Sequence, residues 1–208
     1  MRINPDNPLL LGLQTVFDVL AAAFFFILCC LPAVTAGAAL IAVYDTMMDI
    51  AMGRCVSVME KFFTSFRANW KPGCKLLVPA VLAGFLLYLD IYACWGRALE
   101  PSVPLSCMKG LTIFALVVSL AFLSYAAAGT AKYIVTLRQS LHNALCWIMG
   151  RPLPALGVAG LWIVMALALW VVWFYAFFVI AAGLYGQARL MRWAMFGPLP
   201  EDGGMYEE

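Results

Sequence analysis

Long stretches without a charged residue constrain this chain more than any other feature of its sequence. No residue is charged between Asp18 and Asp45 or between Arg151 and Arg189, and a helix needs about 20 mainly apolar residues to cross a bilayer. Apolar residues make up 65% of the 208 residues and charged residues only 12%, against roughly 45–50% and about 25% in soluble domains. A compact soluble fold of this length could not bury so much apolar surface. The sequence therefore predicts an integral membrane protein.

The same sequence argues against several functional classes. The net charge of +2 is not the strong basic excess of a nucleic-acid binder. The seven cysteines include no C-x-x-C pair and His142 is the only histidine, so no disulfide framework, metal site or Ser–His–Asp site is indicated. No phosphate-binding loop, dinucleotide fingerprint or nucleophile elbow is present. We expect no catalytic residue, no cofactor and no metal ligand, and we do not expect an enzyme.

The first apolar segment, residues 9–44, predicts a helical hairpin. As one helix it would extend about 54 Å, whereas the hydrocarbon core of a bilayer is about 30 Å thick. Pro32 removes a backbone donor, and Gly37 lies five residues after it, so the segment is expected to break there. We predict helices over 10–31 and 33–52, and the alternative is a single kinked span over 19–44. The candidate hinge residues are Pro32, Thr35 and Gly37.

The remaining apolar stretches predict three or four further spans. Residues 76–95 and 110–129 each have the length of one span, and Pro79 is expected to kink the first near its start. The last stretch is too long for one upright helix and predicts spans over 153–172 and 174–187. The expected fold is an all-α, polytopic transmembrane bundle of five or six spans. It forms a single domain over 1–208, with the acidic tail 198–208 disordered.

Lysine and arginine residues predict the orientation of the bundle. The loops 53–75 and 130–152 and the C-terminal tail hold ten of the 13 basic residues. Basic loops stay on the cytoplasmic side of a membrane, so we expect these three segments in the cytoplasm. The side on which the N-terminus lies depends on whether there are five or six spans.

Two segments between the predicted spans have the pattern of amphipathic helices. In 56–71 the large apolar residues share one face, and 132–149 has a similar stripe. We predict two cytoplasmic amphipathic helices lying flat at the lipid headgroups. They either cover their own bundle or offer a docking surface to a cytoplasmic partner. The candidate docking face on the first helix is Phe62, Phe63, Phe66, Arg67, Asn69 and Trp70.

Asp18 and Asp90 are the carboxylates that fall well inside predicted spans, whereas Asp45 and Asp49 are expected at the cytoplasmic edge of the membrane, where a charge costs little. A charge at the bilayer centre costs about 3 kcal/mol on insertion scales, so such residues face a protein interior or a water-filled cavity. They are candidates for an intramembrane ion, proton or substrate site. The alternative is a structural hydrogen bond for each.

Three passages resemble the YesL-like family, small bacterial membrane proteins built around a domain of unknown function. Residues 31–44, with LPAVTAG followed by AVY, are similar to the family pattern LP-x-x-T-x-G and A-x-Y. Residues 62–71, FFTSFRANWK, are similar to FF-x-x-F-[KR]-x-N-[FW]-[KR], and residues 141–144, LHNA, to L-x-N-A. The resemblance extends over about residues 5–195 and also includes Asp18 and Asp90. It implies a multi-pass protein of a bacterial plasma membrane.

The resemblance also implies frequent genetic association with carbohydrate-uptake systems and glycan-degrading enzymes. We therefore expect an accessory or regulatory partner of an ABC-type carbohydrate uptake system, in contact with the lipid bilayer and with transporter subunits. The alternative is a small self-contained transporter or channel that uses Asp18 and Asp90. A water-accessible cavity that reaches either aspartate would favour the alternative, and the oligomeric state stays open.

Overall fold

The computed structural model describes residues 8–54, 57–95, 103–133, 136–171 and 175–197. Within these ranges the chain forms α-helices, one short 3-10 turn at Ala33–Thr35 and no strand, which confirms the all-α prediction. The helices are α1 (Pro8–Cys30), α2 (Ala36–Ala51), α3 (Val58–Ala68), α4 (Trp70–Trp95), α5 (Val103–Lys132), α6 (Leu137–Gly150), α7 (Pro152–Val171) and α8 (Ala176–Phe196). The predicted acidic tail 198–208 lies outside the described residues.

Helix α2 is the centre of the bundle. It packs against α1, α3, α4, α5 and α8, and between Gly37 and Ile50 only Leu40 and Asp49 are not buried. Small residues in the first turns of α2 allow its neighbours to approach closely. A Cβ atom on Gly37 would overlap with the backbone of Gly73 on α4, and no other residue type fits that crossing without a shift. The bundle is therefore built around a helix that is almost completely covered by other helices and has almost no exposed surface.

The hairpin prediction for the first apolar segment is confirmed. Helix α1 ends at Cys30 and α2 begins at Ala36, and the two helices pack against each other. The Thr35 hydroxyl lies within hydrogen-bonding distance of the Cys29 and Pro32 carbonyl groups, with 2.7 Å between Thr35 Oγ1 and Pro32 O. It thereby satisfies the Cys29 carbonyl group, which the end of α1 leaves without an intrahelical donor.

Five helices have the length and composition of membrane spans, namely α1, α2, α4, α5 and α7. Helix α8 is not among them, and its second half contains Gln187, Arg189 and Arg192. It nevertheless runs antiparallel to α7, with Gly183 against Met165 and Gly157 against Leu190. The predicted boundary at 172–174 lies outside the described residues, and α8 continues to Phe196 instead of ending near Gln187.

The two amphipathic segments differ from their predicted bounds because the neighbouring spans are longer than predicted. Helix α4 begins at Trp70 instead of Leu76, so the amphipathic helix α3 ends at Ala68, and Asn69 forms the turn between them. The Asn69 side chain donates to the Ser65 carbonyl at 2.9 Å. Similarly, α5 continues to Lys132, and α6 begins at Leu137 after an N-terminal cap in which the Thr136 N–H donates to Gln139 Oε1 at 2.9 Å.

Candidate functional site

Four charged side chains meet at one end of the bundle. Lys61 on α3 and Lys132 at the end of α5 both bridge Asp45 and Asp49, which lie one turn apart on α2. Lys132 Nζ is 2.6 Å from an Asp45 carboxylate oxygen and 2.5 Å from one of Asp49. Lys61 Nζ is 2.6 Å from Asp49 and 3.3 Å from Asp45. We call these four residues the ionic cluster, and it joins α2, α3 and α5.

The ionic cluster is formally neutral and mostly withdrawn from solvent. The side-chain exposure is 9% for Asp45, 14% for Asp49 and Lys132, and 36% for Lys61. Burial by itself would lower the pKa of Lys61, but the hydrogen bond to Asp49 and the charges of both aspartates hold that pKa above its ordinary value. Two cations matched to two anions can stay charged here because each charge faces two partners of opposite sign.

A second set of polar side chains is buried inside the bundle, and it includes Tyr44 on α2, the helix that also carries Asp45 and Asp49. The Tyr44 hydroxyl is fully buried, donates to Gln187 Oε1 at 2.6 Å and lies 3.0 Å from Ser124 Oγ. The Trp162 indole N–H donates to the same Ser124 oxygen at 3.1 Å. This buried network connects α2, α5, α7 and α8, and its satisfied hydrogen bonds fix one arrangement of the four helices.

The two cavities described in the bundle are apolar. The larger, about 450 Å³, lies between α4, α5 and α6, and Ser119 is the polar side chain in its wall. The smaller, about 210 Å³, lies among α1, α2, α4, α5 and α7 and reaches Ser124 and Trp162 of the buried network. Neither cavity is lined by Asp18 or Asp90, so neither provides a polar route to these carboxylates.

Asp18 and Asp90 lie on different helices of the bundle. Asp18 is half-buried on α1, which packs against α2, α3 and α8, and it makes no hydrogen bond or ion pair within the described ranges. Asp90 is half-buried on α4 and accepts a hydrogen bond from Thr112 Oγ1 of α5 at 2.7 Å. Asp90 therefore has the structural hydrogen bond considered as its alternative, and a role of either aspartate in an intramembrane site stays a prediction.

The predicted docking face is partly occupied by the chain itself. Phe62 is fully buried, and its ring and that of Phe63 lie 5.9 and 5.5 Å from the ring of Phe25 on α1. Phe66 and Asn69 are half-buried. Only Arg67 and Trp70 of the predicted set are exposed. The expectation that these phenylalanines form an open apolar surface is therefore wrong for Phe62, because the bundle needs that side chain to cover α1 and α2.

The candidate hinge residues form a tightly packed corner. Pro32 is exposed, whereas Thr35 is buried and bonded to the end of α1, and Gly37 lies directly against the Gly73 backbone. Packing and hydrogen bonding at this corner account for Thr35 and Gly37. Movement about these residues stays a prediction.

The ionic cluster contains the residues that sequence reasoning did not single out. Asp45 and Asp49 are expected at the edge of the membrane, where a charge costs little, so the sequence by itself does not indicate that they are paired. Their spacing of four residues does put both carboxylates on one helix face. The identity of the partners, 12 or more residues away on α3 and α5, is set by tertiary packing. Within the described ranges no three His, Cys, Asp or Glu side chains converge as metal ligands would.

These features define the class of the protein: an all-α polytopic bundle with a membrane-spanning composition, a central buried helix, a largely buried ionic cluster and a buried hydrogen-bond network. Residues 18–91 match the family described as "Protein of unknown function, DUF624", and this match is consistent with the resemblance to the YesL-like family. It covers α2 and α3, most of α1 and most of α4, and hence Asp45, Asp49 and Lys61. No curated protein and no solved structure matches the chain.

Proposed function

We propose that the protein is an accessory or regulatory partner of an ABC-type carbohydrate uptake system in a bacterial plasma membrane. The family resemblance supports the class of partner. The observation that carries the proposal is the outer face of α3, which is polar, exposed and held in a fixed position by the rest of the bundle. Such a surface is suited to contact another protein without conformational change in the bundle.

The fixed position of α3 follows from two contacts on its inner side. Phe62 is inserted against Phe25, and Lys61 is held by Asp49 of the ionic cluster. The opposite side of α3 exposes Glu60, Thr64 and Arg67. These side chains can donate and accept hydrogen bonds and present both signs of charge, which favours a specific orientation of a partner over tight apolar adhesion.

We further propose that the end of the bundle carrying the ionic cluster faces the cytoplasm. The loops that precede α3 and α6 and the C-terminal end of α8 lie at the same end, where Arg151 donates to the carbonyl groups of Trp193 and Ala194 at 3.0 Å. This end holds most of the basic residues, as the cytoplasmic side of a membrane protein does. The polar face of α3 would then be accessible to the cytoplasmic parts of a transporter.

Site-specific crosslinking in native membranes tests the proposal. A photoreactive phenylalanine analogue replaces Thr64 or Arg67 on the exposed face of α3, and the matched control replaces Leu82, which is exposed in the middle of α4. We expect a permease or ATPase subunit of a carbohydrate importer to be captured from positions 64 and 67 and not from position 82. Capture of lipid alone at all three positions would contradict the proposal.

The second candidate is a self-contained transporter, and the unpaired state of Asp18 within the described ranges favours it. Purified protein in liposomes should then move a solute, and Asp18→Asn should slow the flux at least severalfold, whereas Asp90→Asn removes a bonded carboxylate and serves as comparison. Our proposal predicts no solute flux from the isolated protein. A flux that depends on Asp18 would reject it in favour of transport.

A further inference from the structure

The cavity between α4, α5 and α6 is open along the side of the bundle. Its walls include residues that are well exposed, among them Gly84 on α4, Leu116 on α5 and Leu145 on α6. A Cβ atom on Gly84 would meet no other atom within 4 Å. The cavity is therefore a groove of about 450 Å³ that an elongated molecule can enter from the side. We call it the α4–α6 groove.

The length and position of the groove match one leaflet of a bilayer. Its wall on α4 runs from Leu76 to Leu87, a rise of about 16 Å at 1.5 Å per residue. The hydrocarbon core is about 30 Å thick, so one leaflet contributes about half of that. Both α4 and α5 have the composition of membrane spans. An apolar groove of this length on such a surface fits an acyl chain lying along the helix.

One end of the groove is covered by α6, which marks the headgroup side. Helix α6 crosses the C-terminal part of α5, where Ser140 Oγ donates to the Ala126 carbonyl at 2.9 Å and Trp147 lies against Gly129. The apolar side of α6 contributes Leu141, Leu145 and Ile148 to the groove, and its other side carries exposed polar residues. An amphipathic helix in this position separates the acyl region from water.

Two unpaired cations stand beside that end of the groove. Lys75 directly precedes Leu76, the first groove residue on α4, and Arg138 lies one turn before Leu141 on α6. Both side chains are exposed, and neither makes an ion pair or hydrogen bond within the described ranges. A cation at the headgroup level attracts anionic lipid. The charge of the site therefore complements a phosphate group held above an acyl chain.

We propose that the α4–α6 groove is a binding site for an anionic phospholipid, with one acyl chain along Leu76–Leu87 and the phosphate between Lys75 and Arg138. The site does not depend on the proposed transporter partner. It selects anionic lipid by charge and holds it by burial of the chain. An uncharged or zwitterionic lipid would fill the groove without the favourable headgroup contact.

Native mass spectrometry of the full chain, purified in detergent and titrated with phosphatidylglycerol, tests the site. Gly84→Trp fills the groove, and Gly110→Trp adds the same side chain at an open, exposed position on α5 outside the groove. We expect Gly84→Trp to weaken phosphatidylglycerol binding about tenfold or more, because the loss of only two buried methylene groups of the acyl chain already lowers the affinity about tenfold. Gly110→Trp should leave binding unchanged. Leu145→Glu places a negative charge, of the same sign as the lipid phosphate, in the wall that α6 forms. It is a second variant should Gly84→Trp fail to fold.

The charge of the site is tested separately. Lys75→Gln and Arg138→Gln should each weaken phosphatidylglycerol binding about fivefold and leave phosphatidylcholine binding unchanged, with Arg189→Gln, an exposed arginine on α8, as control. Inorganic phosphate at the same concentration should not compete, since it lacks the chain. Equal binding of the two lipids to the unmodified protein, or equal losses for Gly84→Trp and Gly110→Trp, would overturn the proposal.

Discussion

At the scale of single residues, the ionic cluster explains how a helix as deeply buried as α2 can carry two carboxylates. An unpaired charge in that position would be strongly unfavourable. Asp45 and Asp49 each have two ammonium partners, and three of the four side chains are less than 15% exposed. The removal of one partner leaves a partly buried excess negative charge, which costs far more than the net contribution of the intact pair.

The two lysines of the ionic cluster should therefore differ in their effect on stability. Lys132→Met removes a cation that is 14% exposed and should destabilise the protein by about 3 kcal/mol. Lys61→Met removes one that is 36% exposed and screened by solvent, and should cost about 1 kcal/mol. Thermal unfolding in mild detergent measures both. A larger loss for Lys61→Met than for Lys132→Met would contradict the burial that we assign to the cluster.

The pKa of Lys61 predicts a pH dependence with a definite sign. Because its pKa in the folded protein lies above the ordinary value of 10.5, its contribution to stability is complete below pH 10.5 and is lost as the pH rises through the raised value. Asp45, Asp49 and Lys132 are the charged groups that face it. The difference in melting temperature between the unmodified protein and Lys61→Met should be constant at pH 7–9 and shrink above 10.5. A difference in melting temperature that grows above pH 10.5 would contradict the raised pKa of Lys61.

At the scale of helices, close backbone contact decides where α2 and α4 cross. Gly37 of the first turn of α2 faces Gly73 of α4, and this contact connects two motifs that are separate in the sequence. The Gly in LPAVTAG and the Gly that follows FFTSFRANWKP thus have one common structural purpose. Small residues at such crossings replace the hydrophobic driving force that lipid-facing helices lack.

A methyl group at the crossing should separate the helices. Gly37→Ala overlaps with backbone atoms of Gly73 and cannot be relieved by a side-chain rotation, so we expect a loss of roughly 1–3 kcal/mol. The matched control, Gly110→Ala, adds the same methyl group in open space inside α5 and should be neutral or stabilising by up to about 1 kcal/mol. Equal melting temperatures of the two variants would contradict the close approach of α2 and α4.

The sequence is sufficient to predict the helices. It is not sufficient to predict which side of α3 stays exposed. Uncharged length and the break at Pro32 indicated α1, α2, α4, α5 and α7 because the bilayer imposes a length on apolar segments. The stripe of Phe62 and Phe66 indicated an amphipathic helix, but periodicity states only which residues share a face. Whether lipid, a partner or α1 covers that face depends on tertiary contacts such as that of Phe62 with Phe25. The ionic cluster was missed for the same reason, since its cations come from two distant helices.

At the scale of the whole molecule, the polar contacts gather three segments at one end of the bundle. Lys61 after the first loop and Lys132 before the second share the same two aspartates, and the end of α8 is held by Arg151. The turn at 31–35 lies at the other end of α2. This arrangement is compatible with a bilayer around the apolar helices, and it supports our proposal that the basic loops lie on the cytoplasmic side.

Cysteine labelling in intact cells tests this arrangement most directly. In a background without native cysteines, Glu60→Cys on α3 and Gln139→Cys on α6 place thiols at the basic end, and Val34→Cys places one at the opposite turn, all at exposed positions. An impermeant maleimide should label position 34 in intact cells and positions 60 and 139 only after permeabilisation. Labelling of position 60 or 139 in intact cells, or of position 34 only after permeabilisation, would contradict the account.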